Sequence, residues 1–200
     1  KFEPMIRNGM PVHARNEMYL NLLASKMGNG YQLRVERVRF GASRKARRMD
    51  PPRYPMEALR KGIMATVLVA LRIDQEGKVI DAVAAQSSLT GVKASKRAAD
   101  DWLGEFDRVA VGAAKKWKFE AADLEAGDVP ETTQLVPVEF TINNPAAQEG
   151  WRHASAGIVH PIPWLPAEKQ TYDPTGLKQG ESLALDGSIK LRQDVVGIAL

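Results

Sequence analysis

Three acids, Asp74, Glu76 and Asp81, lie close together, a density that could serve acid–base chemistry or hold a cation. The same stretch reads Asp74-Gln75-Glu76-Gly77-Lys78, in which acids favour a turn, Gly77 completes it and Lys78 sits among the charges; a solvated turn accounts for them. Ser87 and Ser88 have no Gly-x-Ser-x-Gly context that would mark a nucleophile, and His13, His153 and His160 are too scattered for a metal cluster. Asp100, Asp101 and Glu105 read as one polar helix face. Gly28-Asn29-Gly30 is a turn signal rather than a phosphate loop, since no Lys-Ser/Thr pair follows it. The chain has no Cys, which excludes a disulfide framework, a thiol nucleophile and a cysteine zinc site. No catalytic residue, metal ligand or cofactor site is expected, and the chain reads as a non-enzyme.

What remains is chemistry of the backbone. In Leu135-Val136-Pro137-Val138-Glu139-Phe140-Thr141-Ile142, Val136, Val138, Phe140 and Ile142 share one face of a strand and Pro137, Glu139 and Thr141 the other. Pro137 lacks an N–H, which places the strand at a sheet edge or near its own start. An unpaired edge exposes a ladder of N–H and C=O groups that an incoming strand satisfies. Leu135, Val136, Val138, Glu139, Phe140, Thr141 and Ile142 are therefore the candidate partner-binding residues. Two other outcomes stay open: an edge blunted by Pro137 and Glu139, or one covered by residues 144–200.

The elements that position this strand follow from periodicity. Asp50-Pro51-Pro52-Arg53-Tyr54-Pro55 is extended, because Pro disfavours helix in the residue before it. Pro55 then opens a short helix over Met56–Lys61, and Gly62 stops it. Residues Thr66–Ile73 alternate as a strand rich in β-branched side chains, and Val79–Ala85 return from the Asp74–Gly77 turn. Phe106, Val109, Ala110, Ala113, Ala114 and Trp117 recur at helical spacing, an aromatic stripe that reads as core. The expected fold is a compact α+β domain in the order α-β-β-α-β: two helices on a three-stranded antiparallel sheet covered on one face.

Two hundred residues are room for one ordinary domain, or one small domain with extensions, and 44% apolar with 26% charged residues is globular composition. The longest apolar stretch, Ala65 to Leu71, is too short to cross a bilayer. Lys1 in place of an initiator Met reads as a processed product or a fragment. Residues 1–50 carry 11 basic against 4 acidic side chains, and Arg34 to Arg48 alone carry seven against Glu36. That run reads as a solvated strand and linker; nucleic acid or another polyanion is a weaker partner, with Phe40 the one aromatic among the charges. Beyond Asn143 the pattern is lost among Pro145, Pro161, Pro163, Pro166 and Pro174, with a hairpin expected around Asp186-Gly187. Trp151 and Trp164 argue against disorder there.

An internal repeat is suggested. Lys1-Phe2-Glu3-Pro4, Gly9-Met10-Pro11-Val12 and a strand ending Met18–Leu22 parallel Lys118-Phe119-Glu120-Ala121, Gly127-Asp128-Val129-Pro130 and Leu135–Ile142. Residues 1–49 then read as the tail of an earlier repeat plus a basic linker, 50–143 as the domain and 144–200 as a Pro-containing extension.

Pro52-Arg53-Tyr54-Pro55 with Ala58 and Gly62, Asp74 to Gly77, Ser87-Ser88, Phe106-Asp107 with Ala110, Trp117-Lys118-Phe119, Gly127 and Val136 to Phe140 together resemble the TonB C-terminal domain. The stretch Thr90 to Glu105 is longer than that family usually has, and Ala121 stands where a Pro is usual; loop insertions cost little. The resemblance implies that Tyr54, Pro55, Ala58, Gly62, Gly77, Trp117 and Phe119 are structural. It implies a periplasmic protein, tethered upstream to the inner membrane, that transmits force to outer-membrane receptors. Its last strand, here Leu135 to Ile142, would pair with a receptor segment, the TonB box. The alternative is a structural subunit of an envelope assembly that uses the same fold and an extended arm.

Overall fold

The computed structural model describes residues 6–7, 10–11, 18–28, 30–40, 44–90, 95–122, 131–142, 158–167, 170, 177 and 182–185. Its elements are β1 (Ile6–Arg7), β2 (Met10–Pro11), β3 (Met18–Met27), β4 (Gly30–Phe40), β5 (Ala46–Arg48), α1 (Met56–Arg60), β6 (Met64–Ile73), β7 (Val79–Thr90), α2 (Lys96–Ala114), β8 (Lys118–Phe119), β9 (Thr132–Phe140), β10 (Ile158–Val159) and β11 (Leu183–Ala184).

The expected order of helices and long strands is present, with α2 starting ten residues before the Phe106 stripe. The sheet differs from expectation in two respects. It has five strands, in the order β10-β7-β6-β9-β11, because the C-terminal segment adds a short strand to each edge of the β7-β6-β9 core. It is also covered on both faces. Val67, Val69, Leu71, Val136, Val138 and Phe140 pack under the helices with Leu103, Phe106, Ala110 and Ala114 of α2. The opposite face, bearing Leu68, Ala70, Ala85 and Leu135, is buried beneath Ile162 and Leu165, with Trp164, Leu177, Leu183 and Leu185 against it. Leu68 and Ala70, placed opposite the helices, are as buried as Val67, Val69 and Leu71, so β6 does not alternate with water on one side.

The residues that the resemblance marked as structural hold the frame together. The Tyr54 hydroxyl donates to the Ile63 carbonyl at 2.7 Å. Its ring meets Phe106 and Phe140 edge-on, with centroids 5.9 and 5.7 Å away. Pro55 is buried at the start of α1, Ala58 is fully buried in the helix-side core, and Gly62 ends the turn after α1 at φ +68°. Trp117 Nε1 donates to the Asp50 carbonyl at 2.8 Å, fastening the start of the domain to the end of α2. Phe119 is buried in β8, whose N–H donates to the Gly77 carbonyl at 2.8 Å.

β3 and β4 form a separate hairpin, turned through Gly28 at φ +60°. Leu20, Leu22, Leu23, Met27, Tyr31 and Leu33 are exposed on it, and Val35 is buried. Met18–Leu22, the strand of the suggested repeat, therefore pairs with β4, while Lys1–Glu3 and Gly127 lie outside the described residues. From the basic run, Arg34 is exposed on β4, and Arg44 is buried and donates to the Asp74 carbonyl. The hairpin expected around Asp186-Gly187 also lies outside the described residues, apart from Leu183–Leu185.

Candidate functional site

β9 pairs with β6 over its whole length, from Ala65 opposite Phe140 to Ile73 opposite Thr132, with no break in register. Its side chains divide as a strand between two layers requires. Val136, Val138 and Phe140 enter the helix-side core, Leu135 enters the opposite core, and Glu139 is exposed. Thr141 and Ile142 lie past the end of the strand, so the candidate edge is two residues shorter at that end than the sequence suggested.

The outer side of β9 is not bare. Leu183 pairs with Leu135 and Ala184 with Gln134, and the Leu185 N–H donates to the Thr133 carbonyl at 2.8 Å. Trp164 Nε1 also donates to Thr133 Oγ1 at 3.0 Å. Of the outcomes the sequence left open for Leu135–Ile142, the first part of the strand takes the covered one: the chain's own extension lies against it. The physical reason is the apolar second face, which draws Ile162, Leu165, Leu183 and Leu185 onto the sheet and brings their backbone to its margin.

The Leu185–Thr133 bond also fixes which backbone groups face outward. Thr133 turns its groups away from β6, and with a period of two so do Leu135, Pro137 and Glu139. The missing N–H of Pro137 thus faces the outer side and removes no bond from the β6 ladder. Beyond β11, the outward groups are the Pro137 carbonyl and both backbone groups of Glu139. Among the described residues no strand pairs with them.

The extension is held by its own polar contacts. The Gln170 side chain accepts from the Ile162 N–H at 2.9 Å and donates to the Ile162 and Leu165 carbonyls, each at 2.8 Å. Sequence reasoning missed Trp164 and Gln170 as positioning residues. The signal was Pro161, Pro163 and Pro166 interleaved with Ile162, Trp164 and Leu165, an ordered turn written in residues that resist regular structure.

The acids singled out for chemistry have local work. Asp74 Oδ1 accepts from the N–H groups of Glu76 (3.1 Å) and Lys78 (2.8 Å), and Asp81 Oδ1 accepts from Ala82 N–H at 2.8 Å. Ser87 Oγ donates to Asp107 Oδ2 at 3.4 Å. Burial holds the Asp107 carboxyl above the usual carboxylate range, opposed by Ser87 and by the charge of His160. Among the described residues no group of three or more His, Asp or Glu side chains is placed to hold a metal ion, and no helix is long and apolar enough to cross a membrane.

Residues 50–142 match the family model described as Gram-negative bacterial TonB protein C-terminal. Over those residues the chain is similar to the TonB C-terminal family. Among curated relatives, the TonB proteins of two strains of Xanthomonas campestris pv. campestris, B100 among them, are each 33% identical over 98 residues. That alignment covers 49% of this chain and 38% of each relative, so the chain spans well under half the length of the proteins it matches. No solved structure gives a significant match. The TonB-family region stops at Ile142, before the segment that supplies β10, β11 and the second-face cover. The five-strand sheet thus combines strands from the matched region with two from outside it.

Proposed function

We propose that this chain is a non-enzymatic, TonB-like module of the Gram-negative envelope. It engages outer-membrane receptor segments by strand addition along the outer side of β9 and takes part in energy transduction for transport across the outer membrane. The module works on the periplasmic side. The observation that supports strand addition is the pairing of Leu183–Ala184 with Gln134–Leu135: this edge already accepts an extended antiparallel strand. Backbone pairing supplies affinity, and the side chains flanking Glu139 supply selectivity.

The alternative, a structural subunit that wraps partners with its extension, is less well supported. The described parts of the extension pack on the chain's own sheet. The test is an NMR titration of the whole chain and of its Leu185→Pro variant with synthetic peptides carrying TonB boxes of outer-membrane receptors. Saturable amide shifts from Leu135 to Phe140 support the reading, with tighter binding by the variant, because proline removes the N–H that holds β11 to Thr133. Shifts absent from both proteins sink receptor binding and favour the structural subunit.

A further inference from the structure

The opposite margin of the sheet carries a second feature. β10 pairs with β7 only at Gln86 and Ser87, and the His160 N–H then donates to the Ala85 carbonyl at 2.9 Å. Pro161 follows, and Ile162 is fully buried in the second-face core. The extension therefore leaves the margin at His160. The outer side of β7 from Asp81 to Ala84 has no partner strand among the described residues. Register shifts at Ile80 and Ala85 bracket those four residues.

Alongside this open stretch lies a groove of about 510 Å³ between β7 and α2. Its strand wall is Ala82, Val83 and Ala84, with small side chains at its two ends; the Ala82 N–H is taken by Asp81 Oδ1, which an incoming strand would displace. Its helix wall presents Arg108, Gly112 and Lys115, with His160 at one end. Nothing lies within 4 Å of where a Cβ on Gly112 would sit, so the groove is open at its midpoint. Arg108 and Lys115 are exposed, and among the described residues Arg108 has a long 4.0 Å contact to Glu105. Asp107 also lines the groove. Its Oδ2 accepts from Ser87, but its buried Oδ1 has no hydrogen-bond partner.

We propose that this groove binds an extended, acidic segment of another protein as an added strand on β7. The spacing suits such a ligand. Arg108 and Lys115 are seven residues apart, about 10 Å along a helix. Side chains alternate faces along an extended chain, so carboxylates four residues apart share the face toward α2 and stand about 13 Å apart, within reach of the two long basic side chains. The residue midway between them shares their face, and an apolar side chain there would lie over Gly112 and Val111. This surface is on the other side of the sheet from β9 and does not depend on the receptor reading above.

The probe is a capped heptapeptide, acetyl-Val-Glu-Thr-Val-Thr-Glu-Val-amide, titrated into the whole isotope-labelled chain, with Lys in place of both Glu as the control. The expected result is saturable shifts confined to Ala82–Ala84 and Val111–Lys115. Binding should weaken between about 0.05 and about 0.5 M salt, and the Lys peptide should give no shifts. Reversing both charges, Arg108→Glu with Lys115→Glu, should weaken binding about tenfold or more. Gly112→Leu should abolish it while the chain stays folded, since the new side chain enters open space on a helix. The proposal is overturned by any of three results: no saturable shift up to about 2 mM peptide, equal binding of the Lys peptide, or shifts at the β9 edge instead. Concentration-dependent shifts at the same amides without peptide would also overturn it, since a second copy of the chain would then be the occupant.

Discussion

Gly77 is where one methyl group should do the most damage. Its φ is +83°, a region that costs an L-residue about 1–2 kcal/mol. A Cβ there would fall 2.2 Å from the Phe119 carbonyl oxygen and 2.7 Å from its carbon, both backbone atoms that cannot rotate aside. Relief requires moving β8 off the turn. That gives up the Phe119 N–H to Gly77 carbonyl bond, about 1 kcal/mol, and loosens the buried Phe119 ring, about 1–2 kcal/mol more. Gly77→Ala should therefore cost about 3–5 kcal/mol, a large part of the stability of an ordinary domain. Gly62 is the internal control. Its φ is +68°, yet nothing lies within 4 Å of its Cβ position, so Gly62→Ala should cost only about 1–2 kcal/mol. The assay is urea unfolding followed by tryptophan fluorescence, with unchanged m-values required for the comparison. Equal costs for the two variants would refute the close approach of β8 to the turn and leave backbone strain as the whole effect.

Leu185→Pro should destabilise the whole chain by about 1–3 kcal/mol, since it removes one outward bond and part of the half-buried Leu185 packing, while hydrogen exchange along Thr133–Leu135 speeds up; an unchanged exchange rate would contradict the β11 pairing. Trp164→Ala loses the bond to Thr133 Oγ1 and half-buried ring packing, about 2 kcal/mol by denaturation, and should accelerate exchange at the Leu185 amide as well. Asp107 has its pKa raised by burial, so its protonated form favours the folded state; that stability is full at low pH and is lost as pH rises through the folded pKa. Asp107→Asn should consequently become progressively more stable than the parent as pH rises from about 4 to about 7, and a constant difference across that range would count against the assignment.

The core of the fold was legible because it follows local rules. Val67, Val69 and Leu71 repeat at a strand's period, Asp74 to Gly77 spell a turn, and Phe106, Ala110 and Ala114 repeat at a helix's period. What was not legible is the part that depends on distance in sequence. β11 pairs with a strand some 50 residues earlier, and two residues carry no periodicity at all. The burial of Leu68 and Ala70 was written in the sequence as an apolar run, but a run buried on both faces does not say what covers the second one. The groove beside α2 was invisible for a related reason. Asp107, Gly112 and Lys115 looked like ordinary positions on a helix, and only the small side chains of Ala82 and Ala84 across from them make a space.

The two margins of the sheet are treated unequally by one segment, and the difference follows from where proline falls. At β7 the extension makes two residue pairs and one further bond, then meets Pro161, which has no N–H with which to continue, and crosses to the second face. At β9 the proline is on the sheet strand itself, and the outward ladder is interrupted at Pro137 just past the point where β11 ends. Each margin therefore has a covered stretch and an open one: Gln86–Ser87 against Asp81–Ala84, and Thr133–Leu135 against Pro137–Glu139. Antiparallel sheets that leave edges open invite unwanted pairing, and short strands with prolines limit it. The same devices leave openings only a few residues long. Backbone bonds alone over so short a stretch are too few for tight binding, so selectivity at either margin must come from side chains. At β9 the exposed neighbour is Glu139, an acid; at β7 the neighbours are Arg108, Lys115 and His160. Partners of opposite charge are thereby directed to opposite sides of one domain.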